Sequence, residues 1–355
     1  MVDSNSAVSR PINFRSEMLE SRLLHRDSFG KLTERVTATE LRFDPLTGHT
    51  CKIVEFPLSR IRRPDLSAIV QKSLETGCPF CPPAIEENTP RFTPKIVPEG
   101  IMRQGEALLF PNARPYDVHS AVVVMSREHF LALSEFTERI LLDALKAACS
   151  YVNRVLQVDH EVKYHLIGWN YLPPSGGSII HPHIQCNLGY FPTFYQRQIL
   201  EASQSYYNET GRNFWSDLVE QERQTGERYI GARGNTRWLN SFAPRGRLMD
   251  ILAIFYGKAS IPELSEEDLY DFTAGLVKLF HYLDKLNVLS FNLSTYSGTD
   301  ANQFWAHVRI TPRSLLLYSP IETSDQFYYQ VLHDENICLM SPEIACRDLR
   351  THFSS

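Results

Sequence analysis

One order of segments runs through this sequence twice, and few folds accommodate that. In the first pass Leu108 to Asn112 reads as a short strand and Ser120 to Met125 as an apolar strand left through Ser126-Arg127-Glu128-His129. A helix opening near Ser134 follows, with apolar residues at helical spacing as far as Val155, and then a strand from Tyr164 to Trp169 with Asn170 at its end. In the second pass Trp238 to Pro244 and Asp250 to Tyr256 are the two strands, and a helix runs from Leu264 to about Leu286. Ser290 to Tyr296 and Trp305 to Ile310 complete it. We read this as an α+β chain of two tandem repeats from an old duplication. The second copy has lost its chemistry. Ser260 stands near the place of His129, Arg309 stands at that of Gln185, and the copy has no Cys pair.

The first pass ends in Gly176-Gly177-Ser178-Ile179-Ile180-His181-Pro182-His183-Ile184-Gln185-Cys186-Asn187-Leu188. Ile184, Cys186 and Leu188 alternate with Gln185 and Asn187, as in a strand with one buried face. Side chains two apart share a face, so His181, His183 and Gln185 line up. The di-glycine and Ser178 suit a tight turn whose backbone N–H groups approach a phosphate. One histidine alone would be ordinary strand content. Two, with an amide and a Gly-Gly-Ser turn, read as a site.

Two further motifs lie upstream. Ser59 to Asp65 is a basic cluster in a loop, which taken alone is a solvated surface run; its functional reading is an arm that neutralises phosphates. Cys78-Pro79-Phe80-Cys81 admits zinc ligation or dithiol redox work. The redox reading needs an apolar strand before the motif and a helix starting at its first Cys. Here a polar helical stretch, Ala68 to Thr76, precedes it, and Pro82-Pro83 and Pro90 hinder a long helix after it. Zinc is the better reading, and two ligands must then come from elsewhere. Near the N-terminus Met18 to Leu24 reads as a short helix, while Val36 to Phe43 and Thr50 to Phe56 read as a hairpin about the turn Asp44 to Gly48. Tyr195 to Thr225 reads as a polar helical layer between the repeats. Leu315 to Tyr318 reads as a strand, and a helix opens at Ser341.

Composition narrows the function classes. With 355 residues, 43% of them apolar and 22% charged, this is an ordinary globular chain. A net charge of -5 argues against nucleic acid as the main partner but leaves room for a small phosphorylated one. No apolar run reaches the length of a membrane span, and the N-terminus lacks a signal core, so we expect a cytoplasmic protein. Seven scattered cysteines do not make a disulfide framework.

Taken in order, Glu40-Leu41-Arg42-Phe43-Asp44-Pro45, Ser59 to Pro64, Cys78 to Cys81, Asn112, Ser126 to His129 and Asn170 through Gln185 resemble the galactose-1-phosphate uridylyltransferase branch of the histidine-triad superfamily, which also holds ADP-glucose phosphorylases. The match covers Glu40 to Leu188, and more weakly Tyr229 to Pro312. The resemblance implies two histidine-triad-like repeats, each an antiparallel sheet with helices packed on it. It divides the chain into an N-terminal arm (1–35), a catalytic half with the zinc site (36–194), a helical connection (195–225) and a degenerate half (226–355). It implies one structural zinc ion on Cys78, Cys81, His129 and His181. His183 would be the nucleophile that takes up a nucleoside monophosphate, and Gln185 the amide on its phosphoryl oxygens. Asn170, Ser178, Gly176, Gly177, Asn112, Arg60 and Arg63 would be nucleotide or phosphate contacts. It implies a nucleotide or nucleotide-sugar substrate, a phosphate-bearing acceptor and a homodimer. The chain departs from the galactose enzymes in two places. Their second metal pair is reduced to His307-Val308-Arg309, and their hexose-clamping Gly-Tyr-Glu segment is replaced by Gln330 to Glu335. Galactose specificity therefore does not carry over.

Overall fold

The computed structural model describes residues 12–55, 63, 65–313 and 328–353. The two passes build one sheet. In the first pass the strands are β4 (Met102–Gln104), β5 (Ala107–Pro111), β6 (His119–Val124), β7 (Tyr164–Tyr171) and β8 (His183–Gly189). In the second they are β9 (Tyr229–Arg233), β10 (Thr236–Asn240), β11 (Ile251–Phe255), β12 (Ser290–Tyr296) and β13 (His307–Arg313). Their order, β4-β5-β6-β8-β7-β12-β13-β11-β10-β9, reads alike from either edge, and β7 and β12 pair antiparallel at the centre. The halves thus share ten continuous strands.

One face of the sheet is closed by two long helices. The first, α3 (Glu138–Val158), is capped by the Thr137 hydroxyl, which accepts from the Ile140 N–H. Ser134 falls instead in a short 3-10 turn, Leu133–Glu135, so the helix opens four residues later than its sequence suggests. Leu141, Ala144, Ala148, Tyr151, Val152 and Val155 recur at helical spacing and are buried. The second, α6 (Glu266–Lys285), opens on a capping box between Ser265 and Asp268. Both pack on inward residues of the strands, Ile184, Cys186 and Leu188 among them, in one large core.

The opposite face is covered only at its two ends. Over the first half the Cys-x-x-Cys loop and α2 (Ala84–Asn88) lay Cys78, Phe80 and Ile85 on Leu108, Phe110, Val122 and Val124. Over the second half α4 (Phe194–Thr210) and α5 (Phe214–Thr225) lay Ile199, Phe214, Trp215 and Leu218 on Leu239, Leu252 and Ile254. The middle strands β8, β7, β12 and β13 are left open between them.

A second, four-stranded sheet joins β1 (Ser16–Arg26), β2 (Leu32–Phe43), β3 (Thr50–Ile53) and β14 (Asn336–Cys338), the last parallel to β3. Met18 to Leu24, expected as a helix, lies in β1, which pairs with β2 over eleven positions. Every residue of β1 is exposed, so its apolar residues show neither a helical stripe nor a buried alternation. Both Ala68 to Thr76, as α1 (Ser67–Glu75), and the C-terminal α8 (Pro342–Phe353) are helical as expected; a short helix, α7 (Tyr328–His333), precedes β14. The strand expected at Leu315 to Tyr318 lies outside the described residues. No helix among them is long and apolar enough to cross a membrane.

Candidate functional site

Cys78, Cys81, His129 and His181 converge. One donor atom from each lies within 4.8 Å of all the others. Cys81 Sγ is 3.3 Å from His129 Nδ1 and 3.5 Å from His181 Nδ1, and Cys78 Sγ is 3.8 Å from His181 Nδ1. A tetrahedral S2N2 site with bonds of about 2.3 Å to sulfur and 2.0 Å to nitrogen has edges of roughly 3.3–3.8 Å. The group therefore could hold a metal ion of that geometry. The tautomer also fits. His181 Nε2 is 2.9 Å from the Ser126 carbonyl and donates its proton there, which leaves Nδ1 a lone pair facing the thiols. Without a metal, burial and the neighbouring Cys78 push the Cys81 thiol up to about 11.

His181 sits just before β8, and His183 opens that strand. His183 Nδ1 lies 2.8 Å from the His181 carbonyl, so its proton is held there and Nε2 carries the lone pair. Its ring packs edge-on against Phe80 at 5.2 Å and is 9% exposed. Burial lowers its pKa. A single residue, Pro182, thus separates His181 of the metal-ligand group from the second imidazole.

Beside them a cavity of about 430 Å³ occupies the open middle of the sheet. Gln185, Asn187, Gly168 and Asn170 line it from the first half, and Asn292, Ser294, Tyr296, Arg309 and Arg245 from the second. His183 does not line it, but its neighbours do. Gln185 is two residues along the strand, and the β7–β8 register, in which Gly168 faces Gln185, brings Asn170 opposite His183 when continued by two residues. The Gln185 amide makes no hydrogen bond among the described residues, so its N–H donors are free. Asn170 Oδ1 accepts from Asn292 Nδ2 at 2.7 Å, which leaves the Asn170 amide N–H2 for the cavity. Asn292 is held in turn by the Ser175 carbonyl and by Arg313.

The other expected contacts are placed differently. The Gly176 N–H donates to the Pro173 carbonyl and the Gly177 N–H to that of Leu172, so the di-glycine turn does not offer these donors to a phosphate. Its glycines serve the backbone instead. Gly176 adopts φ +88°, and a Cβ on Gly177 would come within 2.7 Å of the Asn170 carbonyl oxygen. Ser178 is exposed beside the turn. Asn112 follows β5, and its side-chain oxygen accepts from the Arg114 N–H. Arg63 pairs with Asp284 at 2.9 Å and lines a different cavity with Asp65, Phe130 and Leu172. Arg60 lies outside the described residues.

The second half keeps the backbone device and closes it. His307 Nδ1 lies 3.0 Å from the Trp305 carbonyl, two residues back, as His183 does to His181. Its ring is fully buried between Trp215, at 4.1 Å, and Tyr296, at 5.0 Å, and burial takes its pKa to about 3. Arg309, in the place of Gln185, pairs with the buried Asp250. Among residues that the sequence left unremarked, Asn292 and Ser294 carried a signal: they alternate with the buried Phe291, Leu293 and Thr295. Arg245 carried none.

The fold is one shared with solved galT-like, ADP-glucose phosphorylase and uridylyltransferase structures. The chain is similar to a galT-like protein from Arabidopsis thaliana at 17% identity and a TM-score of 0.67, over 87% of this chain and 98% of that one. An ADP-glucose phosphorylase from the same plant, with bound ADP-glucose, is similar at 18% identity and a TM-score of 0.67, over 88% and 98%. A uridylyltransferase is similar at 19% and 0.63, over the same shares. No protein-family profile matches the sequence. An uncharacterized protein of Archaeoglobus fulgidus is 32% identical over 354 residues, which span 97% of this chain and 99% of that protein, and the chain belongs to its family.

Proposed function

We propose that the protein is a nucleotidyltransferase that moves a nucleoside monophosphate between phosphate acceptors through His183. One observation carries this: an imidazole with its tautomer fixed by the His181 carbonyl opens a strand whose next outward residue is a free amide, Gln185, on a polar cleft. The Nε2 lone pair attacks the α-phosphorus of a nucleotide. An N–P bond forms as the P–O bond to the leaving phosphate breaks, and that oxygen keeps the electron pair. A second phosphate oxygen then attacks the same phosphorus and Nε2 regains its pair. Gln185 and Asn170 supply N–H donors to the non-bridging oxygens, where charge develops.

Zinc suits Cys78, Cys81, His129 and His181, a closed four-ligand set that would hold His181, and with it His183, in place. The similar phosphorylase has ADP-glucose bound, which favours a nucleotide sugar as donor here. Acceptance by a sugar phosphate would make the reaction a uridylyltransferase-like exchange, and acceptance by inorganic phosphate a phosphorolysis. On this reading 36–194 is the working half, 226–355 the degenerate one, and the chain is a homodimer.

The test is labelling with a panel of nucleotide sugars and dinucleotides bearing radioactive α-phosphate. An acid-labile, alkali-stable label on the protein is expected, and His183→Ala should remove it and lower turnover by at least about 10³-fold while the protein still folds. Equal labelling of His183→Ala, or none of the wild type by any donor, refutes the proposal.

A further inference from the structure

The cleft continues well past Gln185. In one row across the sheet Gln185 faces Gly168, Gly168 faces Ser294 and Ser294 faces Arg309, so three strand spacings, roughly 14 Å, separate the two ends. Gly168 leaves the floor bare beside Gln185, and a Cβ there would meet nothing nearer than 3.8 Å, so packing does not explain the glycine. Amides and hydroxyls surround the row: Asn170, Asn292, Ser294 and Tyr296. Leu166 and Leu293 also line the cavity, and a polyhydroxylated group, with apolar C–H faces and hydroxyl edges, matches such a mixed lining.

The far end is cationic. The Arg245 guanidinium lies 4.2 Å from the centre of the Tyr195 ring, and that of Arg309 lies 5.6 Å from it. Arg309 is answered by Asp250, which is fully buried beneath it, and its Nε has no partner. Among the described residues the Arg245 guanidinium forms one ion pair, with Asp334 at 3.1 Å, whose side chain is 62% exposed, while its backbone N–H donates to the buried Asp250 carboxylate at 2.8 Å. An ion pair so exposed contributes little, and it occupies one of the donors of a five-donor fork.

We propose that this cleft takes a polyhydroxylated leaving or accepting group with a second negative charge at its far end, a phosphate or a carboxylate, read by Arg245. The proposal takes its direction from the reaction at His183: one phosphate lies by Gln185, the polyol crosses Gly168 and Ser294, and the remote anion meets the fork. Both anions are matched by two parallel N–H donors of a guanidinium.

Isothermal titration calorimetry on the full-length protein tests this with α-D-glucose 1-phosphate, α-D-glucose 1,6-bisphosphate and α-D-glucuronic acid 1-phosphate. At least one of the two doubly anionic ligands should bind about tenfold or more tightly than the monophosphate, and which one does separates phosphate from carboxylate. Arg245→Gln should abolish the preference, Arg245→Lys should keep part of it, and Ser294→Leu, which fills the floor, should weaken all three. Equal affinities in the wild type, no binding of any, or a preference that survives in Arg245→Gln overturns the subsite. Labelling does not enter this measurement. Failure of labelling with the preference intact removes the chemistry at His183 and leaves the anion site, and the opposite result does the reverse.

Discussion

Cys78 and Cys81 bring two thiols to the Nδ1 atoms of His129 and His181, and the His181 proton is directed away from them to the Ser126 carbonyl, an arrangement that suits a bound cation. Without a metal the Cys81 thiol is held protonated, since burial and the neighbouring Cys78 raise it to about 11. Cys78→Ser should therefore strip zinc from the purified protein and lower its stability by about 3 kcal/mol or more. Inductively coupled plasma mass spectrometry and thermal melting read both effects. Unchanged metal content and melting would remove these four residues as a ligand set. At this scale the sequence was legible where the chemistry sits on a strand. His183 and Gln185 follow from period-two alternation and Asn170 from its place at a strand end, and the β7–β8 register sets that end beside the start of β8. The Gly-Gly-Ser turn was legible only as a turn. Which way its N–H groups donate depends on Leu172 and Pro173 folding back, and no pattern in the residues encodes that.

At the scale of elements, the sheet and its two long helices were legible because each has one apolar face and one large partner. Failure came at β1, for the converse physical reason: a two-stranded ribbon with both faces exposed obeys no burial period, and Met18, Leu19, Leu23 and Leu24 point to either side. The helical layer of α4 and α5 was read as a connection, and it is that, but it also seals the second half. Trp215 stacks on His307 and donates its indole N–H to Ser203. Trp215→Ala should cost about 3–5 kcal/mol of stability, since the space over His307 cannot collapse around two rigid strands. Chemical denaturation measures the loss. Labelling of His183 should persist in this variant, because its site lies beyond the cleft on the other half; a melting temperature within a degree of wild type would contradict the role given to α5.

At the scale of the whole molecule, pseudo-symmetry explains why the site lies at the middle of the sheet: each half is covered outward of its inner strands, and the uncovered strands of both meet at the β7–β12 seam. Besides the apolar contact of Cys51, Ile53 and Cys338 with Phe242 and Ala243, a set of charges ties the smaller sheet to this body. Arg42 of β2 and Arg228 ahead of β9 both reach Glu343, each at 2.8 Å, in the first turn of α8. Burial would raise the Glu343 carboxyl, but Arg42 and Arg228 outweigh it and hold it down at about 2, against an ordinary value of 4.5. A carboxyl whose folded pKa is depressed stabilises the fold fully above its unfolded pKa and progressively less as pH falls to the folded one. The network's contribution should thus be complete above about pH 5, decline between pH 4.5 and 2, and vanish below. Glu343→Gln should be destabilised by about 2–3 kcal/mol at pH 7, leaving Arg42 and Arg228 buried without their shared partner, and this difference should shrink through the same window. Urea denaturation of both proteins from pH 7 to pH 2 measures it. A difference that stays constant across that range would mean that Glu343 acts by packing, and that the two sheets are joined by the apolar contacts between them.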